Sequence, residues 1–428
     1  MITPDIVNFK KGITFYFLND SKFKTASLKI SFVRPLLKSE VTLNSLIPAI
    51  IRRGSEKHPD TKELNIYLDY LCGAEFTSGV RKKGENQLIT FSYKTVSDKF
   101  FKEEKPFLQL IDLMEETLFN PLVADNGFKK EYVDREKENL DQMIKSVVND
   151  KREYAKKRLI ESMYDNCPYG LFEYGYSDDL KNINETNLFK HYLKVISESE
   201  IKVFVSGNFD KNEVLQKLTE IFGNKEVTPI CVTFPEKDSY KEKYDIITEE
   251  DDVTQGKLVI GFKTNVTTDS SLYFPMLVAN NLFGGSVHSK LFTVVREKMS
   301  LAYYAGSSFS AFKGFIMANC GIETNNFDIT LKEVINQLDQ MKKGYFTEEE
   351  LSFSILSLSS SYKSVTDSMA SMEDFYVAQT LLPKGYTLEE CIEGISKVTK
   401  EDVVKASNEI VPDTVFFLKG GEEKWIIR

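Results

Sequence analysis

Three histidines are all the sequence offers for imidazole chemistry, and His58, His191 and His288 stand far apart. A catalytic zinc takes about three protein ligands plus a water, with a carboxylate placed to take the water's proton. None of these histidines has a second within a helical turn, so each reads as a structural or surface residue. The five cysteines, Cys72, Cys167, Cys231, Cys320 and Cys391, are odd in number and form no CxxC, which points away from a disulfide framework or zinc ribbon and fits a reducing compartment. A serine nucleophile on a G-x-S-x-G elbow is also missing. Residues 41–55, VTLNSLIPAIIRRGS, form an apolar, helix-like run that presents no imidazole, acid or thiol. Charge runs such as KEEK, REKEN and TEEEL read as solvated helix faces.

The elements that would position any site follow from hydrophobic periodicity. Period-two runs mark strands at GITFYFLND, TASLKISFVRP, NQLITFSYKTV and IKVFVSGNF, then at GKLVIGFKT, FIMANCGIET and TVFFLKGG. Helix-period segments lie between them: PDTKELNIYLDYLCG, FLQLIDLMEETLFN, a charged stretch from Gly127 to Tyr164, SLYFPMLVANNLFGG, HSKLFTVVREKMS and ITLKEVINQLDQMKKG. Strands and helices mix without strict alternation, which predicts an α+β fold. Pro48 is expected in the first turn of its helix, with Asn44 or Ser45 as the cap, because a helix interior tolerates proline poorly.

The chain has 428 residues, 42% hydrophobic and 28% charged, a globular composition too long for a single core. A formal net charge of −9 argues against a sequence-independent grip on nucleic acid or on anionic lipid. No run of about 18 apolar residues occurs, so neither a membrane span nor a secretion signal is expected, and a cytoplasmic location fits. The pattern also repeats. A helix leading into Val203-Phe204-Val205 is echoed by one leading into Val415-Phe416-Phe417, and Gly54-Ser55 by Gly285-Ser286. Two homologous domains follow, 1–225 and 241–428, each an antiparallel-rich β-sheet packed with several helices. Residues 226–240, where proline and charge replace the pattern, form the linker.

Two duplicated α+β halves with VVREKMSLAYY in the second resemble the pitrilysin and insulinase family of zinc peptidases, in the two-domain form that includes the mitochondrial processing peptidases and paired bacterial peptidases. Catalytic members carry H-x-x-E-H shortly before a Gly-Thr or Gly-Ser. Aligned on Arg53-Gly54-Ser55, the histidine positions fall at Ser45 and Ala49 and the catalytic glutamate at Pro48. The downstream zinc ligand, seven residues after a glutamate matched by Glu136, falls at Met143. The resemblance therefore implies a chain that holds no metal and is inactive by itself.

The second half keeps what the first has lost. In catalytic relatives an arginine and a tyrosine seven residues apart contact the substrate at the scissile bond, and Arg296 and Tyr303 stand at that spacing. Both side chains can donate hydrogen bonds to a carbonyl oxygen that becomes negative in the transition state. Taken without the resemblance, Arg296 is a helix C-terminal charge and Tyr303 a half-buried aromatic. Ala74, Glu75, Phe76 and Thr77 match the place where relatives present a strand edge to an extended peptide; a simple hairpin fits the same residues. The resemblance thus implies a silent bacterial peptidase subunit. Its partner would be a paralogous chain with an intact H-x-x-E-H and the zinc, closed with it around an unfolded peptide, and the chain alone would form at most a homodimer. The competing expectation is a non-enzymatic scaffold or binding protein that retains the peptidase fold.

Overall fold

The computed structural model describes residues 2–230, 234 and 237–420; Cys231 and part of the expected linker lie outside them. The strands are β1 (Asp5–Lys10), β2 (Ile13–Asn19), β3 (Thr25–Pro35), β4 (Glu75–Lys83), β5 (Asn86–Val96), the short pair β6 (Val123–Ala124) and β7 (Gly127–Phe128), β8 (Glu200–Gly207), β9 (Asp245–Asp251), β10 (Gly256–Lys263), β11 (Ala302–Ser310), β12 (Phe315–Ile322) and β13 (Val411–Gly420). The α-helices are α1 (Val41–Ile51), α2 (Thr61–Tyr70), α3 (Pro106–Phe119), α4 (Lys130–Ser146), α5 (Lys151–Met163), α6 (Glu185–Glu198), α7 (Lys211–Gly223), α8 (Tyr273–Asn280), α9 (Phe327–Lys342), α10 (Glu348–Ser364), α11 (Met369–Gln379), α12 (Leu388–Ser396) and α13 (Lys400–Asn408). The fold is α+β.

Helix starts are written locally. Asn184, Thr347, Thr387 and Thr399 each close a capping box, satisfying backbone N–H groups that the first turn leaves without partners. Asp150 accepts from the N–H groups of Arg152 and Glu153 and so begins a new helix. The charged stretch from Gly127 to Tyr164 is for this reason two helices, α4 and α5, with a 3₁₀ turn between them.

Two compact units are built from interleaved segments: 1–145, 171–233 and 366–381 in one, 146–170, 234–365 and 382–428 in the other. The first contains the sheet β1-β2-β8-β3-β5-β4, the second the sheet β11-β12-β10-β13-β9. With β1 set aside, the two orders are the same. The internal β8 and its counterpart β13 each run parallel to one neighbour, β2 and β9 respectively, and these are the two strands that carry the repeated Val203–Val205 and Val415–Phe417 runs.

In the first unit, Ile30, Phe32, Phe91 and Val80 face a core completed by α1, α3, α6 and α7. In the second, Leu258, Ile260, Ala318 and Val415 face α8, α9 and α13. Each sheet has a second face, and the segment covering it comes from the other half of the sequence. Ala155, Leu159 and Met163 of α5 pack on Val259, Met317, Phe416 and Leu418 of the second sheet. In the first unit, α11 buries Met369, Met372, Tyr376 and Val377 on the side of β8.

Candidate functional site

α1 begins at Val41, with Glu40 at its cap, and Pro48 lies inside it. This corrects the expected start at Asn44 or Ser45. A proline in a helix interior costs about 3 kcal/mol, but Leu46, Ile47, Ile50 and Ile51 on the same helix are buried, and each such side chain contributes about 1.5–3 kcal/mol. Burial outweighs the lost hydrogen bond. The proline carbonyl is used as well, accepting from Ser78 Oγ at 2.9 Å.

The polar face of α1 is tied down by a buried network. Asn44 donates to Gln87 Oε1 at 2.8 Å, and its own oxygen lies 2.7 Å from His191 Nε2. Burial, opposed in part by the Glu40 charge, pushes His191 down to about 4, so the imidazole is neutral. Ser45 Oγ donates to the carbonyls of Val41 at 2.9 Å and Glu173 at 3.0 Å, and Gln87 also reaches the Glu173 carbonyl, at 2.7 Å. Thr42 Oγ1 bonds Asp179 at 2.6 Å and accepts from the N–H of Tyr176 at 3.1 Å. These bonds hold the segment 171–176 against α1. Glu173 in turn takes the N–H of Lys82 on β4.

The remaining candidates of this unit lie apart. Ala49 offers a methyl group, and Met143 on α4 is 41% exposed. Glu136 is buried and accepts from Arg53, with Nε at 2.6 Å. His58 lies 2.8 Å from the Glu116 carboxylate, and His288, in the second unit, stacks on Phe353. The three histidines thus serve three unrelated neighbourhoods. Among the described residues no three His, Cys, Asp or Glu side chains converge as a metal site would require.

β4 is an edge strand. Because the Lys82 N–H leaves the sheet for Glu173, strand alternation turns the backbone groups of Phe76, Ser78 and Val80 away from β5 as well. Of the four expected edge residues, Ala74 has its N–H on the Leu68 carbonyl, Glu75 pairs with Lys94 at 3.4 Å, Phe76 is buried and stacked on Tyr93, and Thr77 is exposed. Among the described residues, Phe76 alone of these four has its backbone N–H and carbonyl turned away from β5 with no partner given by the fold.

In the second unit, Arg296 lies in a π-helical segment, Leu291–Lys298, with its guanidinium 4.5 Å from the Phe292 ring centre. Tyr303 lies on β11 where the register slips between Ala302 and Tyr304, making it the extra residue of a bulge. It is 53% exposed, and its hydroxyl donates to Glu323, a bond that raises its pKa. Sequence reasoning missed the 171–176 strap, Gln87 and the acidic pair Glu373 and Asp374. Their partners are distant in sequence, and nothing local marks them.

The chain is built as an α+β fold with two sheets of like strand order, in which positions 45, 48, 49 and 143 carry neither imidazole nor carboxylate. It belongs to the pitrilysin-type (M16) peptidase family, as an inactive member. It is 36% identical to the "Probable inactive metalloprotease YmfF" of Bacillus subtilis over 412 residues, 96% of each chain, and residues 182–358 match the family model described as "Peptidase M16 inactive domain". A second Bacillus subtilis protein, the "Uncharacterized zinc protease YmxG", is 24% identical over 87% of this chain and 91% of its own. A conserved protein from Enterococcus faecalis has the same fold, with TM-score 0.91, 27% identity and coverage of 98% of this chain and 99% of its own. The zinc that this family implies does not fit the residues present. Ser45 Oγ is spent on two carbonyls, Pro48 and Ala49 offer no ligand or base, and Glu136 is already paired with a guanidinium.

Proposed function

We propose that this protein is the non-catalytic subunit of a two-chain, zinc-peptidase-like complex. Its partner is a paralogous chain that carries H-x-x-E-H and the zinc; together the two enclose an unfolded peptide as a clamshell, in the cytoplasm. The observation that carries the reading is selective replacement. Ser45 stands in a structural network with Glu173 and Gln87, and Pro48, Ala49 and Met143 offer no metal ligand, whereas Arg296 and Tyr303 stay exposed on a π-helical turn and a bulge, two irregularities that recur at functional sites. The open backbone groups of Phe76, Ser78 and Val80 suit addition of a peptide strand at β4. Support for a pair also comes from Bacillus subtilis, where one relative is named inactive and another a zinc protease.

The test is turnover by the co-purified pair. Arg296→Ala and Tyr303→Phe should each leave pairing and melting temperature unchanged and slow cleavage on the order of a hundredfold, the effect of losing one donor to developing charge. Unchanged turnover with both variants sinks the proposal. It would favour the alternative, a scaffold or binding protein, for which the bond from Tyr303 to Glu323 is an internal fastening.

A further inference from the structure

The first unit carries a cavity of about 670 Å³ between β3, β5, β4 and α11, a size within the ~300–1,000 Å³ usual for binding sites. The edge strand β4 forms one side of it. Phe76 and Val80 point into the core, and the alternating Thr77, Gly79 and Arg81 line the cavity. Gly79, in the middle of these three, has no side chain to fill its place. A Cβ built there would meet no atom within 4 Å, and its φ lies outside the left-handed region, so neither crowding nor backbone conformation requires the glycine. A glycine inside a strand weakens it, and often stands where another backbone or a ligand comes close; a bare edge glycine is covered well by an aromatic ring from the neighbouring strand.

The groups around Gly79 favour a neutral ring over a charged side chain. Lys29 is held between Glu373 at 2.9 Å and Asp374 at 3.0 Å, and Arg81 reaches Asp374 at 3.1 Å. Across the strand pair from Gly79, the Thr90 hydroxyl lies 3.1 Å from that of Ser31. These charges and hydroxyls answer one another, so a charged newcomer gains little. A flat ring gains burial against the glycine backbone, and the Arg81 guanidinium, next on the same face of β4, is a diagonal neighbour that long side chains reach, placed to meet the face of the ring.

We propose that Gly79 selects an aromatic residue: an extended peptide added to the open edge of β4 sets a large aromatic side chain over Gly79, in the cavity. This rests on the strand addition proposed above and adds a side-chain preference to it. The peptide residue opposite Gly79 shares its sheet face, because side chains of paired strands alternate in step, while the peptide backbone bonds to Phe76, Ser78 and Val80.

Fluorescence anisotropy of the full chain with dye-labelled acetyl-TVXVTK-amide peptides tests this, X being alanine, phenylalanine or cyclohexylalanine. The phenylalanine peptide should bind roughly fivefold more tightly than the alanine peptide, the scale of one good cross-strand pair, and more tightly than the cyclohexylalanine peptide, which has the bulk without the π face. Gly79→Val, for which there is open space, should leave the melting temperature and alanine-peptide binding unchanged and erase the phenylalanine advantage. Equal binding of the alanine and phenylalanine peptides, a cyclohexylalanine peptide bound as tightly as the phenylalanine one, or an advantage that survives Gly79→Val overturns the aromatic preference alone. An alanine peptide methylated on every backbone nitrogen cannot donate to the edge and should not bind. If it binds like its parent, or if none of the peptides binds saturably, strand addition at β4 fails and the proposal with it.

Discussion

At the scale of single residues, Ser45 is committed to holding the fold together. Ser45 spends its hydroxyl on two backbone carbonyls, one of them Glu173 in a distant segment. Restoring one ligand should therefore restore nothing: Ala49→His is expected to hold well under one zinc per chain after dialysis, because one imidazole is not a site. Tight stoichiometric zinc by elemental analysis would contradict this. His191 supports a second prediction. Its folded pKa is lowered to about 4 by burial, against 6.5 for the free side chain. Between these values the unfolded chain binds the proton and the folded chain does not, so stability is full above pH 6.5 and is lost as pH falls toward 4, by about 3 kcal/mol in all. Urea midpoints across this range should slope for the native chain and flatten for His191→Gln; equal slopes would show that His191 is not the group responsible. That positions 45, 48 and 49 carry no imidazole or acid, and that each histidine stands alone, was legible in the sequence. The roles of Ser45 and His191 were not, because their partners Glu173 and Asn44 lie far away along the chain.

Elements show where local rules yielded to packing. Proline statistics placed Pro48 near a helix start, yet α1 runs through it because Pro48 and most of its neighbours on the helix are buried. The strap 171–176 had no periodic signal at all, although it binds α1 to the edge strand. Its geometry turns on Gly175, which has φ +79°, and a Cβ there would approach Thr42 Cα to 2.6 Å. L-residues other than glycine are strained in that region even without the clash. Gly175→Ala should cost roughly 2–4 kcal/mol and increase protease sensitivity at 171–176; a urea midpoint equal to that of the native chain would mean that the strap yields freely. The bulge at Tyr303 was likewise invisible, since a register slip is defined only by the partner strand β12.

For the whole molecule, the exchange of α5 and α11 is the main finding. The second sheet buries Val259, Met317, Phe416 and Leu418 under α5, a helix from the first half of the sequence. A fragment 241–428 lacks that cover, and 1–225 lacks α11. Neither is expected to unfold cooperatively, and 241–428 should bind a hydrophobic dye strongly, because an exposed apolar sheet face of this kind is an aggregation surface. A sharp, two-state melt of either fragment would show that the donated helix is dispensable. No helix among the described residues is long and apolar enough to cross a membrane.

The sequence by itself determined the α+β class, the duplicated pattern, the identity of most strands and the chemical emptiness of positions 45, 48, 49 and 143. These are properties of residue type and near-neighbour spacing, which the backbone reads locally. It did not mark α11 and α5 as the covers of opposite sheets, the bonds that hold Glu173 to Ser45, or the cavity that brings Lys29 beside Glu373. Each of those depends on contacts between residues far apart in the chain. Such contacts form only when burial of both sheet faces has to be satisfied at once, and that is a condition on the folded molecule, not on any stretch of it.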